Sequence, residues 1–181
     1  MPRNDYTDRS RAMPRRQSRD TEVDRSLMTR FSSSHVATNR IGEVLQNTLV
    51  ELLDLALQAK HARWTVTGPA LLPLHTQLDA LSVQMQAAAD EVAERAVTIG
   101  YAPDGRCSTV ATDSPLPELP TGLLADHVVV DAIGRALSVV TEGVHGRVER
   151  LDQLDQVSHD MLIGVLRGLD KQRWMFEAQR A

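Results

Sequence analysis

His75, Asp79, Asp90 and Glu94 limit what this chain can fold into more than any other feature. On a helix turning about 100° per residue they fall at about 0°, 40°, 60° and 100°, a single stripe. Within each pair, His75/Asp79 and Asp90/Glu94, the i,i+4 spacing stacks two side chains on successive turns. Imidazole and carboxylate are metal-ligand chemistry, but His75 and Asp90 stand 15 residues apart, roughly 22 Å along a helix. An ion with bonds of roughly 2.0–2.2 Å cannot be held by both pairs of one chain. A second copy of the helix, antiparallel across a two-fold axis, would set His75/Asp79 of one chain against Asp90/Glu94 of the other. Such isologous contacts are the commonest way a homo-oligomer closes. The spacing therefore predicts a metal site shared between subunits. The plainer alternative is a solvated acidic face on a long helix, with His75 structural.

The rest of the chain is helical in period. A first helix opens near Thr38 or Asn39, carries Leu45, Leu49, Leu52, Leu53 and Ala56 at three- and four-residue steps, and ends by Gly68-Pro69. A second, over residues 69–99, carries the stripe and stops at Gly100. A loop rich in Pro and Ser follows, with Pro103, Pro115, Pro117 and Pro120. A third helix spans residues 123–151 despite Gly134, Gly143 and Gly146, which cost helix stability but permit close backbone packing. A fourth spans residues 157–179, with Trp174 read as core. No strand signal competes. The reading is an all-α four-helix bundle over residues 37–181, up-down-down-up with a long crossover, and 42% hydrophobic residues suffice for one core.

Residues 1–36 differ: rich in Arg, Ser and Asp, with few apolar clusters, they read as a disordered tail. Residues 1–30 hold eight Arg and five acids, a balance of +3, against 12 − 19 = −7 for the remainder. A mobile basic arm on an acidic body suits non-specific DNA binding, because the arm supplies phosphate contacts that the body repels. Arg3, Arg9, Arg11, Arg15, Arg16 and Arg19 are the candidates. Asp5, Asp8, Asp20, Glu22 and Asp24 interrupt them, as in a tail that merely solubilises. No groove-reading motif argues for sequence-specific recognition. Cys107 is the lone cysteine, so no intrachain disulfide forms and an oxidising compartment is not indicated. With neither an apolar signal core nor a spanning segment, the expected location is cytoplasmic, without membrane contact.

The run Lys60-His61-Ala62-Arg63-Trp64-Thr65-Val66-Thr67-Gly68-Pro69, then Leu74-His75, Asp79, Asp90-Glu91-Val92-Ala93-Glu94-Arg95 and Gly100, resembles the Dps family of miniferritins. The closing Leu169-Asp170-Lys171 and Trp174-Met175-Phe176 are similar to that family's end. The resemblance covers roughly residues 38–181 and implies a ferritin-like subunit with a short helix in the crossover, assembled as a hollow dodecamer. It further implies iron sites on the two-fold interfaces, Fe(II) oxidation preferably by hydrogen peroxide, and a ferric mineral kept inside. Many members bind DNA through their tails, so a nucleoid-associated fraction would follow. The resemblance would also place Asp152, Asp155 and Asp160 at an acidic pore on the three-fold axis. Singly, such residues are caps and solvation, and Asp155 is well placed to open the last helix. Trp64 would intercept oxidising equivalents leaving the iron site, or simply pack at the interface.

One position departs from the pattern. Where the family has its first iron-binding histidine, immediately before the tryptophan, this chain has Arg63. A guanidinium offers donors only and stays charged, so it cannot ligate a cation. His61, two residues away and about 200° round the helix, points elsewhere. Two readings stay open. Arg63 pairs with Asp79, or with a neighbour's Asp90/Glu94, and leaves a non-enzymatic nucleoid-binding or structural shell. Alternatively it swings aside, and His75, Asp79, Asp90 and Glu94 still bind iron more weakly, as an impaired ferroxidase. A bundle with neither a metal nor a DNA role is the third. The Glu142/His145 spacing matches half of a di-iron motif, but no second half exists and it is set aside.

Overall fold

Leucine, valine and alanine recur at helical spacing through four long stretches, and each becomes a helix in the computed structural model, which describes residues 35–180. The long helices are α1 (His35–Thr65), α2 (Leu71–Thr98), α4 (Asp126–Leu151) and α5 (Gln156–Glu177), with a short α3 (Cys107–Asp113) in the crossover. The tail over residues 1–34, with Arg3, Arg9, Arg11, Arg15, Arg16 and Arg19, lies outside the described residues. The stripe helix has its apolar seam at Leu74, Leu78, Leu81, Met85, Ala89, Val92 and Ala96, steps of three and four that keep one face inward. It closes on Leu45, Leu49, Leu52 and Leu55 of α1, Ile133, Leu137, Val140 and Val144 of α4, and Leu162, Leu169 and Phe176 of α5.

The sequence reading placed no strand, and here the structure differs. β1 (Val66–Thr67) pairs in parallel with β2 (Leu124–Ala125), Val66 opposite Leu124. Segments of two residues carry no periodicity to read. The pairing sets the start of α4 beside the end of α1, so α2 and α4 both run back along the bundle and the crossover climbs between them. Gly68, at φ +119°, makes the turn into α2 in a region open essentially to glycine alone. Its missing Cβ leaves room for Asp126, whose carboxylate accepts from the Ala70 N–H at 2.9 Å.

The crossover is held to α1 by side chains. Gln46 donates to the Asp104 carbonyl at 2.9 Å and accepts from the Asp104 N–H at 2.8 Å, while Tyr101 lies against Gly42. Between α1 and α4 runs a buried ion pair, Glu51 with Arg147, each side chain 7% exposed. Arg147 Nη1 donates to Glu51 Oε1 at 2.8 Å, and Nη2 donates to Oε2.

Trp174 is a correction to the sequence reading: it is 66% exposed. The buried positions of α5 are Ser158, Leu162, Val165, Leu169, Gln172 and Phe176, and Trp174, two residues before Phe176, faces about 200° away from it. Among the described residues no helix is long and apolar enough to cross a membrane.

Candidate metal centre

The continuous helix α2 carries all four candidate ligands. His75 and Asp79 are half-buried near its start; Asp90 and Glu94 are exposed near its end. Asp90 and Glu94 make no ion pair or hydrogen bond with any described residue, although two carboxylates one turn apart repel each other. No group of three or more His, Cys, Asp or Glu side chains is placed to hold a metal ion among the described residues of one chain. What a single copy presents is two candidate half-sites on one helix.

The half-site at His75 has two cations over it, both from the last turns of α1. Lys60 Nζ donates to Asp79 Oδ1 at 3.1 Å, and Arg63 Nε lies 3.4 Å from the same oxygen. The Arg63 contact is ionic only: Nε is buried and completes no hydrogen bond. Asp79 Oδ2 receives no donor from the described residues. The Lys60 hydrogen bond, opposed by burial and aided by the charges of Arg63, Lys60 and His75, holds the Asp79 carboxyl below its usual range. Asp79 is thus a fixed anion with one oxygen engaged and one open. His75 donates or accepts no hydrogen bond with another described residue, leaving its ring nitrogens for a ligand. Trp64, beside Arg63, is 66% exposed, and His61 is exposed on the far side of α1.

Lys60 was legible only as part of a motif; its role here was not. The signal was its i,i+3 spacing to Arg63, which puts both cations on the α1 face toward α2.

The acidic turn before α5 divides its carboxylates by task. Asp155 is the N-cap of α5, accepting from the Ser158 N–H at 3.3 Å and from Arg95 Nη2 at 2.7 Å. Burial pushes its carboxyl up, but hydrogen bonds from Ser158 and Arg95, with the Arg95 charge, outweigh this and hold it low. Asp152 and Asp160 are exposed. Between them sits His159, unnoticed in the sequence, its Nε2 3.8 Å from Asp152 and its Nδ1 3.4 Å from Asp160. Glu142 is exposed, and His145 lies 3.6 Å from Glu149 on its own helix, away from any second carboxylate–histidine pair.

Comparison with known proteins matches residues 42–181 to the family described as Ferritin-like domain. The chain is 35% identical to DNA protection during starvation protein 2 of Deinococcus radiodurans over 75% of its own length and 56% of that protein, so it spans little more than half of that relative. It is 35% identical to the fine tangled pili major subunit of Haemophilus ducreyi, covering 79% of this chain and 76% of that one. Among solved structures, Dps from Microbacterium arborescens in the high iron form superposes with a TM-score of 0.78 at 27% identity, over 82% of this chain and 97% of the other.

Proposed function

Because the chain belongs to the Dps family of ferritin-like proteins, we propose that it collects Fe(II) and oxidises it with hydrogen peroxide at sites shared between two copies, storing the ferric product. The observation that carries this is the pair of open half-sites on α2. His75 with the free Oδ2 of Asp79 at one end, and unpaired Asp90 and Glu94 at the other, need a second antiparallel copy to become one site. Imidazole with carboxylates suits Fe(II) and leaves coordination positions open for the oxidant. Leu57, Trp64, Leu72 and Val83 are exposed on the same two helices, apolar surface of the kind a partner copy covers. The relative solved in a high iron form supports iron as the cargo.

In this reading the assembly is a hollow dodecamer in the cytoplasm, and Asp152 and Asp160 line the pore that admits Fe(II). Asp155 holds the turn that presents them. Each hydrogen peroxide takes one electron from each of two Fe(II) ions, gains two protons and leaves as two waters. Consuming both reactants together denies them to hydroxyl-radical chemistry. Arg63 slows the reaction by placing a fixed positive charge beside the ligands. The basic arm holds the particle to DNA without reading sequence.

A second reading rests on the Lys60–Asp79–Arg63 contacts: the two-fold site is an arginine–carboxylate bridge, and the particle is a non-enzymatic shell. Anaerobic Fe(II) loading followed by peroxide, with ferric absorbance as readout, separates them. The ferroxidase reading expects oxidation in the wild type, a faster rate in Arg63→His and loss in Glu94→Gln. Oxidation that appears only in Arg63→His establishes the shell instead.

A further inference from the structure

We infer that Asp104–Gly105 in the crossover is a self-modification site, where ring closure converts aspartate to isoaspartate, and that Arg106 and Thr109 hold it shut in the folded chain. Its chemistry is independent of iron.

The sequence supplies the reactants. Aspartate followed by glycine sets a side-chain carboxyl beside a main-chain nitrogen whose own residue has no Cβ to obstruct attack. The Gly105 nitrogen bonds to Asp104 Cγ, and the OH of the protonated carboxyl departs with the nitrogen's proton as water. Water returning to the main-chain carbonyl of that ring breaks its bond to the Gly105 nitrogen, and the chain then runs through Asp104 Cβ and Cγ. Only water is lost and regained, so no co-reactant is required. Gly105 is exposed, so solvent reaches the bond. The backbone there does not demand glycine: Gly105 is not among the glycines with positive φ, and a Cβ would meet only Leu53 Cδ1, at 3.3 Å.

The fold holds both reactants still. Arg106 donates its backbone N–H to Asp104 Oδ1 at 3.1 Å, its Nε to the same oxygen at 2.9 Å and its Nη2 to Oδ2 at 2.5 Å. Thr109 Oγ1 donates to Oδ2 at 2.8 Å. Both oxygens are thus held from the C-terminal side, and turning Cγ to receive the Gly105 nitrogen breaks these bonds. The main chain is fixed as well: the Asp104 N–H donates to Gln46 Oε1, and its carbonyl, part of the peptide that would enter the ring, accepts from Gln46 Nε2. The Arg106 hydrogen bonds, followed by that of Thr109, keep the Asp104 carboxyl well below its usual range, and a carboxylate that stays ionised does not surrender an oxygen as water. Arg106 is 78% exposed, so its charge is largely screened; what it supplies is a fixed fork of donors. Isomerisation adds a carbon to the main chain at the residue Gln46 grips, and so frees the crossover from α1.

Oxygen-18 water counts the event, because each ring that opens takes up one heavy oxygen. Full-length assembled protein is incubated in it at neutral pH and digested with trypsin in ordinary water. The peptide over residues 96–106, cut after Arg95 and Arg106, is then read by mass. A synthetic peptide of the same sequence gives the unrestrained rate. Wild type should label at least about tenfold more slowly than the peptide, and Arg106→Lys/Thr109→Val, which keeps the tryptic cut, should gain about tenfold, the effect of losing one charge-assisted hydrogen bond. Adding Gly105→Ala to that variant should return labelling to the wild-type level. Wild-type labelling as fast as the free peptide overturns the inference without any variant having to fold. So does an unchanged rate in Arg106→Lys/Thr109→Val when circular dichroism and size-exclusion chromatography show wild-type fold and assembly. If that variant does not assemble, Thr109→Val alone decides on the same terms.

Discussion

Truncating Glu51 to alanine isolates the buried ion pair that joins α1 to α4. Glu51 on α1 and Arg147 on α4 are each 7% exposed and joined by two parallel hydrogen bonds. Arg147 Nε is already buried without a partner, so losing the carboxylate strands the whole guanidinium. Water cannot reach it readily, and Gly143 packs close enough that a Cβ there would lie 2.8 Å from Arg147 Nη2. Removing one partner of a buried pair costs about 3–5 kcal/mol, a large share of a typical folding stability of about 5–15 kcal/mol. At roughly 2–4 °C per kcal/mol for a domain of this size, the Glu51→Ala transition should fall by about 6–20 °C. Far-UV circular dichroism at one fixed protein concentration measures it, because assembly raises the apparent transition by mass action. The double variant Glu51→Leu/Arg147→Met is the control: with both charges gone it should melt within a few degrees of wild type, since apolar replacement of such pairs is commonly neutral or stabilising. A Glu51→Ala shift under about 2 °C, or a double variant as weak as the single one, would refute the argument from an uncompensated charge.

Three further outcomes are expected. Asp155→Asn keeps an N-cap but loses the ionic link to Arg95, and should lower the transition by a few degrees at pH 7. The Asp155 carboxyl is held low in the folded chain, so its contribution is complete above the ordinary carboxylate pKa of about 3.9 and drains as pH falls below it. The gap to wild type should therefore narrow in melts at about pH 3, and a gap constant from pH 7 to pH 3 contradicts the assignment. A Cβ at Gly42 would stand 2.0 Å from the Tyr101 ring, so Gly42→Ala should cost about 1–3 kcal/mol in urea unfolding, recovered in part by Tyr101→Ala. Deleting residues 1–30 removes eight arginines and five acids; DNA retardation should weaken and lose its steep salt dependence, and unchanged retardation would move DNA binding off the arm.

The stripe on α2 was legible because a long amphipathic helix writes its faces directly into spacing. His75, Asp79, Asp90 and Glu94 do lie on one uninterrupted helix. Helix ends were legible to within three or four residues; α1 begins at His35 rather than Thr38, and α4 at Asp126 rather than Leu123. The β1–β2 contact was not legible, since each side is two residues long and the partners lie far apart in sequence. Trp174 misled because an aromatic near core leucines reads as core unless its angle is counted. The Lys60 bond to Asp79 and the Glu51–Arg147 pair both depend on which helix faces which. Single-sequence periodicity gives a helix its inner face but not its neighbour.

Arg95 follows Glu94 directly on α2, and while Glu94 faces outward, Arg95 grips Asp155 and Ser158 at the mouth of α5. The helix end that carries Glu94 is therefore bolted to the turn that carries Asp152. A change in that turn acts as a lever: it alters the direction in which Glu94 points from the helix surface while leaving its chemistry intact. Natural variation in the two places would then be constrained jointly, with drift in the turn tolerated only where the aim of the distant carboxylate survives.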